Sequence, residues 1–474
     1  MTTRVERTDG KRSVAGPIER VDERDVLFAR ADLYRRFGDG APQRDEYYEA
    51  HPSARELDEH IASNLHMAGG GGDFEHICTG ILELPRLIAR DDVVDGPPAP
   101  ERVALSPEEA SRLVKARAIA LGADLVRTGP LRQEWTYSRV GRSFGDAEGF
   151  EPWGTPIDLS HHEHAISMGF RMDPDLNHTA PEFPTALATS AAYAIGAVVA
   201  VGLAGYIRSL GYSARAHHVY NYRLMPVPVA VDCGLGELSR AGFLMTRDFG
   251  LGLRLGTVTT DLPLEHDGPV DIGVQSFCER CGICADNCPV SAIPKGSKTE
   301  HNGTLRWKLE AESCYRYWSV VSTDCAICMT TCPWTKPDTW LHRGLTALAT
   351  RAGAVAHLMV AAEKLFYGRP DPRGRGTAVG LSSVRPTRLR AHMRALGAAM
   401  VLLFLLGLWW GAGAGGPANV GSGGWGGYSL WMWWTLLGVA TVWTFLAERT
   451  PRPALVALAL FGAVSLALGS LWVW

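Results

Sequence analysis

The sequence predicts a mixed α/β domain, a small cysteine-rich domain after it, and a tail of three transmembrane helices. Three observations point that way. Eight of the ten cysteines fall in two runs between Cys278 and Cys332, a long apolar segment at 187–207 leads into a strand-like stretch at 213–220, and the chain beyond Leu396 is almost wholly apolar.

The first run is Cys278, Cys281, Cys284 and Cys288-Pro289, and the second is Cys314, Cys325, Cys328 and Cys332-Pro333. A single Cys-x2-Cys is shared by zinc sites and redox pairs. Two consecutive runs that close in Cys-x3-Cys-Pro are the spacing of a two-cluster ferredoxin, which ranks two 4Fe-4S clusters above structural zinc. Each iron takes a thiolate, and a tight loop supplies three before the proline turns the chain away, so the fourth ligand crosses over. Cys278, Cys281, Cys284 and Cys332 are then expected to hold one cluster, and Cys314, Cys325, Cys328 and Cys288 the other. Cys314 is the irregular member, with ten residues between it and Cys325. Cys78 and Cys233 read as buried free thiols.

Cluster assembly needs reducing conditions, so the cysteines are not a secreted disulfide framework. Residues 1–16 are polar and charged, and Arg35-Arg36-Phe37 is followed by polar residues rather than an apolar run, so no export signal is expected. With 47 basic against 50 acidic residues, no nucleic-acid partner is expected.

In the tail, 395–411, 428–447 and 453–474 each approach the ~20 residues that span a bilayer core. Trp409, Trp410, Trp425, Trp431, Trp472 and Trp474 cluster near their ends, where indole favours the interface. Arg385, Arg388, Arg390 and Arg394 precede the first span, and Arg449 and Arg452 lie between the second and third. By the positive-inside rule the first span leaves the cytoplasmic face, which predicts a multi-pass inner-membrane protein with its remaining domains in the cytoplasm and lipid as a partner. His392 is the last histidine, so the tail cannot supply the paired imidazoles of a b-type haem and reads as a plain anchor.

Ahead of Cys278 lie 277 residues, enough for a substantial core. The expected organisation is 1–180 as the N-terminal region of a catalytic unit, 181–272 as its core, 273–345 as the cluster domain, 346–394 as strap and linker, and 395–474 as anchor. The segment 187–207 is nearly apolar enough to span a membrane. Its Ala, Gly and Val, with Thr189, Ser190 and Tyr193, insert weakly, so a buried helix ended by Arg208 and Gly211 is expected instead.

Several separated segments carry a resemblance: Val21-Asp22-Glu23-Arg24-Asp25 with Phe28-Ala29-Arg30, Tyr206-Ile207-Arg208-Ser209-Leu210-Gly211-Tyr212, Gly234-Leu235-Gly236-Glu237-Leu238-Ser239-Arg240, Cys314-Tyr315-Arg316-Tyr317-Trp318, and Trp340-Leu341-His342. Together with the cluster runs, and in this order over roughly 17–370, they resemble the cobalamin-dependent reductive dehalogenases. Epoxyqueuosine reductase shares the cobalamin fold and clusters, but the Cys-Tyr-Arg-Tyr-Trp spacing and the tail look more like the dehalogenases.

The resemblance implies a nitroreductase-like α/β domain holding a corrinoid (cobalamin) without a histidine ligand, fed electrons through the two clusters, and an organohalide as substrate. The Asp-x-His-x-x-Gly cobalamin signature is absent, so the cofactor rests on the resemblance, which leaves the corrinoid-contacting residues unassigned. It places the proton-donating tyrosine at Tyr193. The basic position falls on Arg254 and the polar one on Asn221, once a two-residue insertion after Tyr212 is allowed. Arg247, in Thr246-Arg247-Asp248-Phe249-Gly250, stands as a surrogate cation or a surface residue, and His217 and His218 as structural residues or pocket lining. The electron donor stays open among quinol, ferredoxin and flavodoxin. Respiratory members use a twin-arginine signal and a separate three-span protein, so this chain looks like a fusion of enzyme and anchor. Two other readings are a cobalamin-dependent reductase of a non-halogenated substrate, such as a modified nucleoside, and a membrane-bound iron–sulfur electron carrier.

Overall fold

The computed structural model describes residues 15–37, 40–63, 73–142, 149–321 and 323–335, with scattered positions between 344 and 361. Its strands are β1 (Leu125–Pro130), β2 (His164–Arg171), β3 (Ala214–His217), β4 (Glu237–Leu238), β5 (Leu244–Met245), β6 (Leu253–Thr260), β7 (Thr299–His301) and β8 (Thr304–Arg306). The order β1-β2-β6-β3 forms one antiparallel sheet, and the others pair as β4-β5 and β7-β8. In this register Arg254 of β6 stands opposite Phe170 of β2.

A 26-residue helix, Pro184–Ser209, lies over the sheet. Small residues let it come close. A Cβ on Gly196 would sit 3.0 Å from the Phe170 ring, and one on Gly256 would sit 3.3 Å from the Gly196 carbonyl. Ala192, Val199, Ala200, Leu203 and Ile207 thereby pack with Ile166, Met168, Phe170 and Val258 in one core. This helix is long and apolar enough to cross a membrane, with mean hydropathy 1.9 over its most apolar window. That window is 61% buried inside the protein, as expected of a core helix. The helix ends at Gly211, whose φ of +87° favours glycine and whose Cβ would strike the Glu101 carbonyl at 2.2 Å.

Two expectations change in detail. The strand expected at 213–220 stops at His217, because the His218 carbonyl accepts the Asn221 N–H at 2.8 Å and closes a turn. The sheet also crosses the boundary drawn at 180/181, since β1 and β2 come from ahead of it and pair with β6 from behind it. The mixed α/β class stands, built on an antiparallel sheet.

Helices Val274–Cys281, Ile283–Asn287, Ala311–Val321 and Ile327–Thr330 carry most of the clustered cysteines. Val274, Phe277, Trp307 and Trp334 join the same core as the sheet, with Phe277 and Trp334 edge to face at 5.4 Å. The three expected transmembrane spans, the linker before them and the Trp340-Leu341-His342 segment lie outside the described residues.

Candidate active site

Left-handed turns present the cysteines. Cys281 ends its helix, Gly282 turns at φ +65°, and Cys284 opens the next helix. In the second run Cys325 (φ +57°) and Ala326 (φ +50°) are both left-handed, at a cost of about 1–2 kcal/mol per residue. Thr323 holds this turn, its Oγ1 accepting the Cys325 N–H at 3.1 Å and donating to the Pro181 carbonyl at 2.8 Å.

Burial pushes the thiols of Cys278, Cys314 and Cys325 up to about 12, and their neighbours sort them into two sets. After burial, Cys284 is raised by Cys332, Cys278 and Cys281. Cys328 is raised by Cys325, Cys314, Cys284 and Cys288. The structure thus brings together Cys278, Cys281, Cys284 and Cys332, and beside them Cys288, Cys314, Cys325 and Cys328, with Cys284 and Cys328 where the sets adjoin. The first set lines a pocket together with Arg240 and Phe277. Among the described residues no three His, Cys, Asp or Glu side chains are grouped closely enough to hold a single metal ion. Neutral, largely buried thiols gathered in two sets fit 4Fe-4S clusters, which bind them as thiolates. Cys78 and Cys233 are both buried.

Tyr193 is half-buried on the long helix. Arg254 reaches it from β6, its guanidinium carbon 5.2 Å from the Tyr193 ring centroid. Arg254 Nη2 donates to Thr189 Oγ1 at 2.8 Å, and Thr189 lies one helical turn before Tyr193 on the same face. The same nitrogen meets Asp324 Oδ2 at 3.4 Å, in a pair only 11% and 3% exposed. Asp324 directly precedes Cys325, so a helix, a strand and a cysteine loop meet at one guanidinium. Arg254 Nε is buried with no hydrogen-bond partner among the described residues, which leaves a costly donor open to a ligand. Tyr222 lies beside this group. Burial and then the Tyr193 oxygen push its phenol up, and its hydroxyl donates to the Leu255 carbonyl at 2.9 Å. Arg142 covers the Tyr222 ring at 5.4 Å and the Phe28 ring at 5.6 Å.

Asn221 serves a different network. Its amide donates to the Ala89 carbonyl at 2.7 Å and Asp91 Oδ1 at 2.9 Å, and its carbonyl accepts Arg215 Nη2 at 2.9 Å. Both N–H groups and the carbonyl are engaged, so it braces a buried ion cluster. Burial raises the Asp91 carboxyl, but Arg223, Arg215 and the Asn221 bond prevail and hold it below the usual range. Arg223 also reaches Glu151 at 3.2 Å. His217 and His218 are core residues rather than exposed ligands, since burial holds both well below their ordinary pKa and His217 accepts the Arg223 N–H at 3.2 Å. Arg247 is exposed on the turn to Gly250, and Arg254 is the cation at Tyr193. Sequence reasoning missed Thr189 and Asp324. Their signals, a hydroxyl four residues before Tyr193 and an acid directly before Cys325, acquire meaning only once Arg254 is placed between them.

Residues 277–336 match the family described as a 4Fe-4S dicluster domain. The chain is 32% identical over 277 residues to the tetrachloroethene reductive dehalogenase of Dehalobacter restrictus, covering 50% of each. A solved catabolic reductive dehalogenase in complex with 3-bromo-4-hydroxybenzoic acid matches with a TM-score of 0.62 at 25% identity, over 77% of this chain and 49% of that one. A reductive dehalogenase structure described in terms of B12-dependent dehalogenation matches with a TM-score of 0.60 at 25% identity, over 76% and 49%. The chain spans about half the length of the relatives it matches. Sequence, fold and cluster domain agree in making the chain similar to the reductive dehalogenases.

Proposed function

We propose that this chain reduces an organohalide, adding two electrons and one proton to a carbon–halogen bond to give a carbon–hydrogen bond and free halide. The observation that carries the reading is the convergence of Tyr193, Arg254 and Asp324 beside the loop of Cys325. Cys278, Cys281, Cys284 and Cys332 hold one 4Fe-4S cluster, and Cys288, Cys314, Cys325 and Cys328 hold the other. Electrons from a quinol, ferredoxin or flavodoxin pass between the sets where Cys284 adjoins Cys328. A corrinoid bound here would supply the low-valent cobalt chemistry for carbon–halogen cleavage, and the open N–H of Arg254 beside aromatic surface suits a site where halide forms.

Tyr193 gives its phenolic proton to the carbon. The Arg254 guanidinium, 5.2 Å from the Tyr193 ring centroid, offsets the negative charge that proton transfer leaves. The Nε donor of Arg254 steadies the departing halide. Thr189 and Asp324 fix the guanidinium, and Asn221 fixes the turn after β3 from behind.

The test is anaerobic purification of the full chain in detergent from a host supplied with cobalamin. Corrinoid and iron are then measured, along with halide release from tetrachloroethene and 3-bromo-4-hydroxybenzoic acid under reduced methyl viologen. One corrinoid with about eight irons per chain, and halide from either compound, is the expected result. Iron without corrinoid and without halide would refute the reading and favour the electron carrier.

The tail anchors the chain in the cytoplasmic membrane with these domains facing the cytoplasm. Protease should then cut the domain in inverted vesicles and spare it in right-side-out ones; the reverse pattern refutes this placement.

A further inference from the structure

Arg240 closes the segment Gly234-Leu235-Gly236-Glu237-Leu238-Ser239-Arg240, which the dehalogenation chemistry leaves without a task. It is a buried cation, 4% exposed. Its Nε donates to the Cys278 carbonyl at 3.0 Å, and its Nη1 donates to the carbonyls of Pro294 at 2.8 Å and Gly296 at 3.0 Å. Its guanidinium carbon lies 4.4 Å from the Trp307 ring centroid. Among the described residues no carboxylate pairs with it. The nearby Glu237 accepts the N–H groups of Ile272 at 2.7 Å and Val274 at 3.1 Å on Oε2, and its Oε1 is buried with no hydrogen-bond partner among the described residues. Lys298 shares the Trp307 ring at 4.6 Å, but it has Glu279 at 3.5 Å.

Carbonyl dipoles and an aromatic face offset only part of the cost of burying a guanidinium. The remaining counter-charge is the pocket that Arg240 lines with Cys278, Cys281, Cys284 and Cys332. Four thiolates outweigh the positive charge of a 4Fe-4S core, so a cluster there is anionic and gains one further negative charge on reduction. A fixed cation favours the reduced form and raises the potential.

We propose that Arg240 raises the reduction potential of the cluster held by Cys278, Cys281, Cys284 and Cys332, and leaves that of the other cluster unchanged. This rests on the two-cluster reading and deepens it, since it makes the first cluster a stronger electron acceptor than it would be without the cation. Arg240 lines the pocket of the first set, whereas the acid Asp324 stands beside Cys325 of the second.

The experiment is a redox titration followed by electron paramagnetic resonance, on the full chain with both clusters reconstituted anaerobically, as wild type, Arg240→Gln and Arg240→Lys. In Arg240→Gln one midpoint should fall by at least a tenfold change in the reduction equilibrium, about 59 mV for one electron, while the other stays in place. Arg240→Lys should keep both midpoints near wild type. Two unmoved midpoints in Arg240→Gln overturn the proposal. Should Arg240→Gln lose the first cluster, Arg240→Lys decides: wild-type midpoints support a role for the charge, and a lowered midpoint despite the retained charge overturns it. A wild-type chain without any 4Fe-4S signal refutes the cluster assignment itself, a separate outcome.

Discussion

The cysteine segment and the Tyr193 site are assembled in opposite ways. Three ligands of the first set, Cys278, Cys281 and Cys284, sit within one helix–turn–helix, and only Cys332 arrives from afar. At Tyr193 the long helix meets β6 65 residues on, through Thr189 and Arg254, and Arg254 meets Asp324 70 residues further. The first arrangement depends on local turns, whereas the second depends on strand register. A one-residue slip of β6 against β2 would turn Arg254 to the other face of the sheet. A motif written in short spacing can therefore be read from the chain, while a constellation held by register needs the folded sheet.

Breaking each side of this contrast should give separable phenotypes. The largest effect is expected from Cys328→Ala, which should lower iron from about eight to about four per chain and reduce halide release to background. Halide release that survives with four irons would show that electrons bypass the second cluster. Tyr193→Phe keeps the ring under Arg254 but removes the proton, so turnover should fall about 10²- to 10⁴-fold with iron content unchanged. An unchanged rate would remove Tyr193 as the donor.

Asp324→Asn sharpens the comparison, because Asp324 belongs to both regions. Turnover should fall about tenfold through a loosened Arg254, and the loss should vanish in an Arg254→Ala background. A loss that persists there would assign Asp324 to the cysteine loop instead. Asn221→Ala strips partners from buried Asp91 and Arg215, so it should cost about 1–3 kcal/mol of stability, read by denaturant unfolding, with iron content unchanged.

The smallest effect expected is a pH slope. Burial above all holds His162 and His218 down at about 4, and His217 well below its ordinary 6.5. The unfolded chain therefore binds more protons below about pH 6.5, so this stability is complete above that pH and is lost as pH falls towards 4. His162→Gln should flatten the decline of Tm across that window, and an unaltered slope would mean that His162 is protonated in the folded state.

Much of the architecture was legible because it follows from composition or short spacing. The small-residue segment at 187–207 reads as a core helix, and the pairing of each cysteine triplet with a crossing fourth thiol follows from the Cys-x3-Cys-Pro endings. The partners of Asn221 were not legible, because spacing places a residue along the chain but does not say which groups claim its amide. The ion pairs around Asp91 do so, from a helix and loop more than a hundred residues upstream.

By itself, then, the chain's sequence determined the two thiol sets, the burial of the long helix and, through resemblance, the pairing of Tyr193 with Arg254. These rest on local geometry, on apolar composition, and on residues that stand at matching intervals. Only the tertiary structure decided that Asp324 and Thr189 clamp Arg254, that Asn221 braces an ion cluster, and that one cysteine set has a buried guanidinium against it. Each of these depends on which strands pair and in what register. Hydrogen bonding between distant segments sets that register, and the whole core must form before any of those groups can meet.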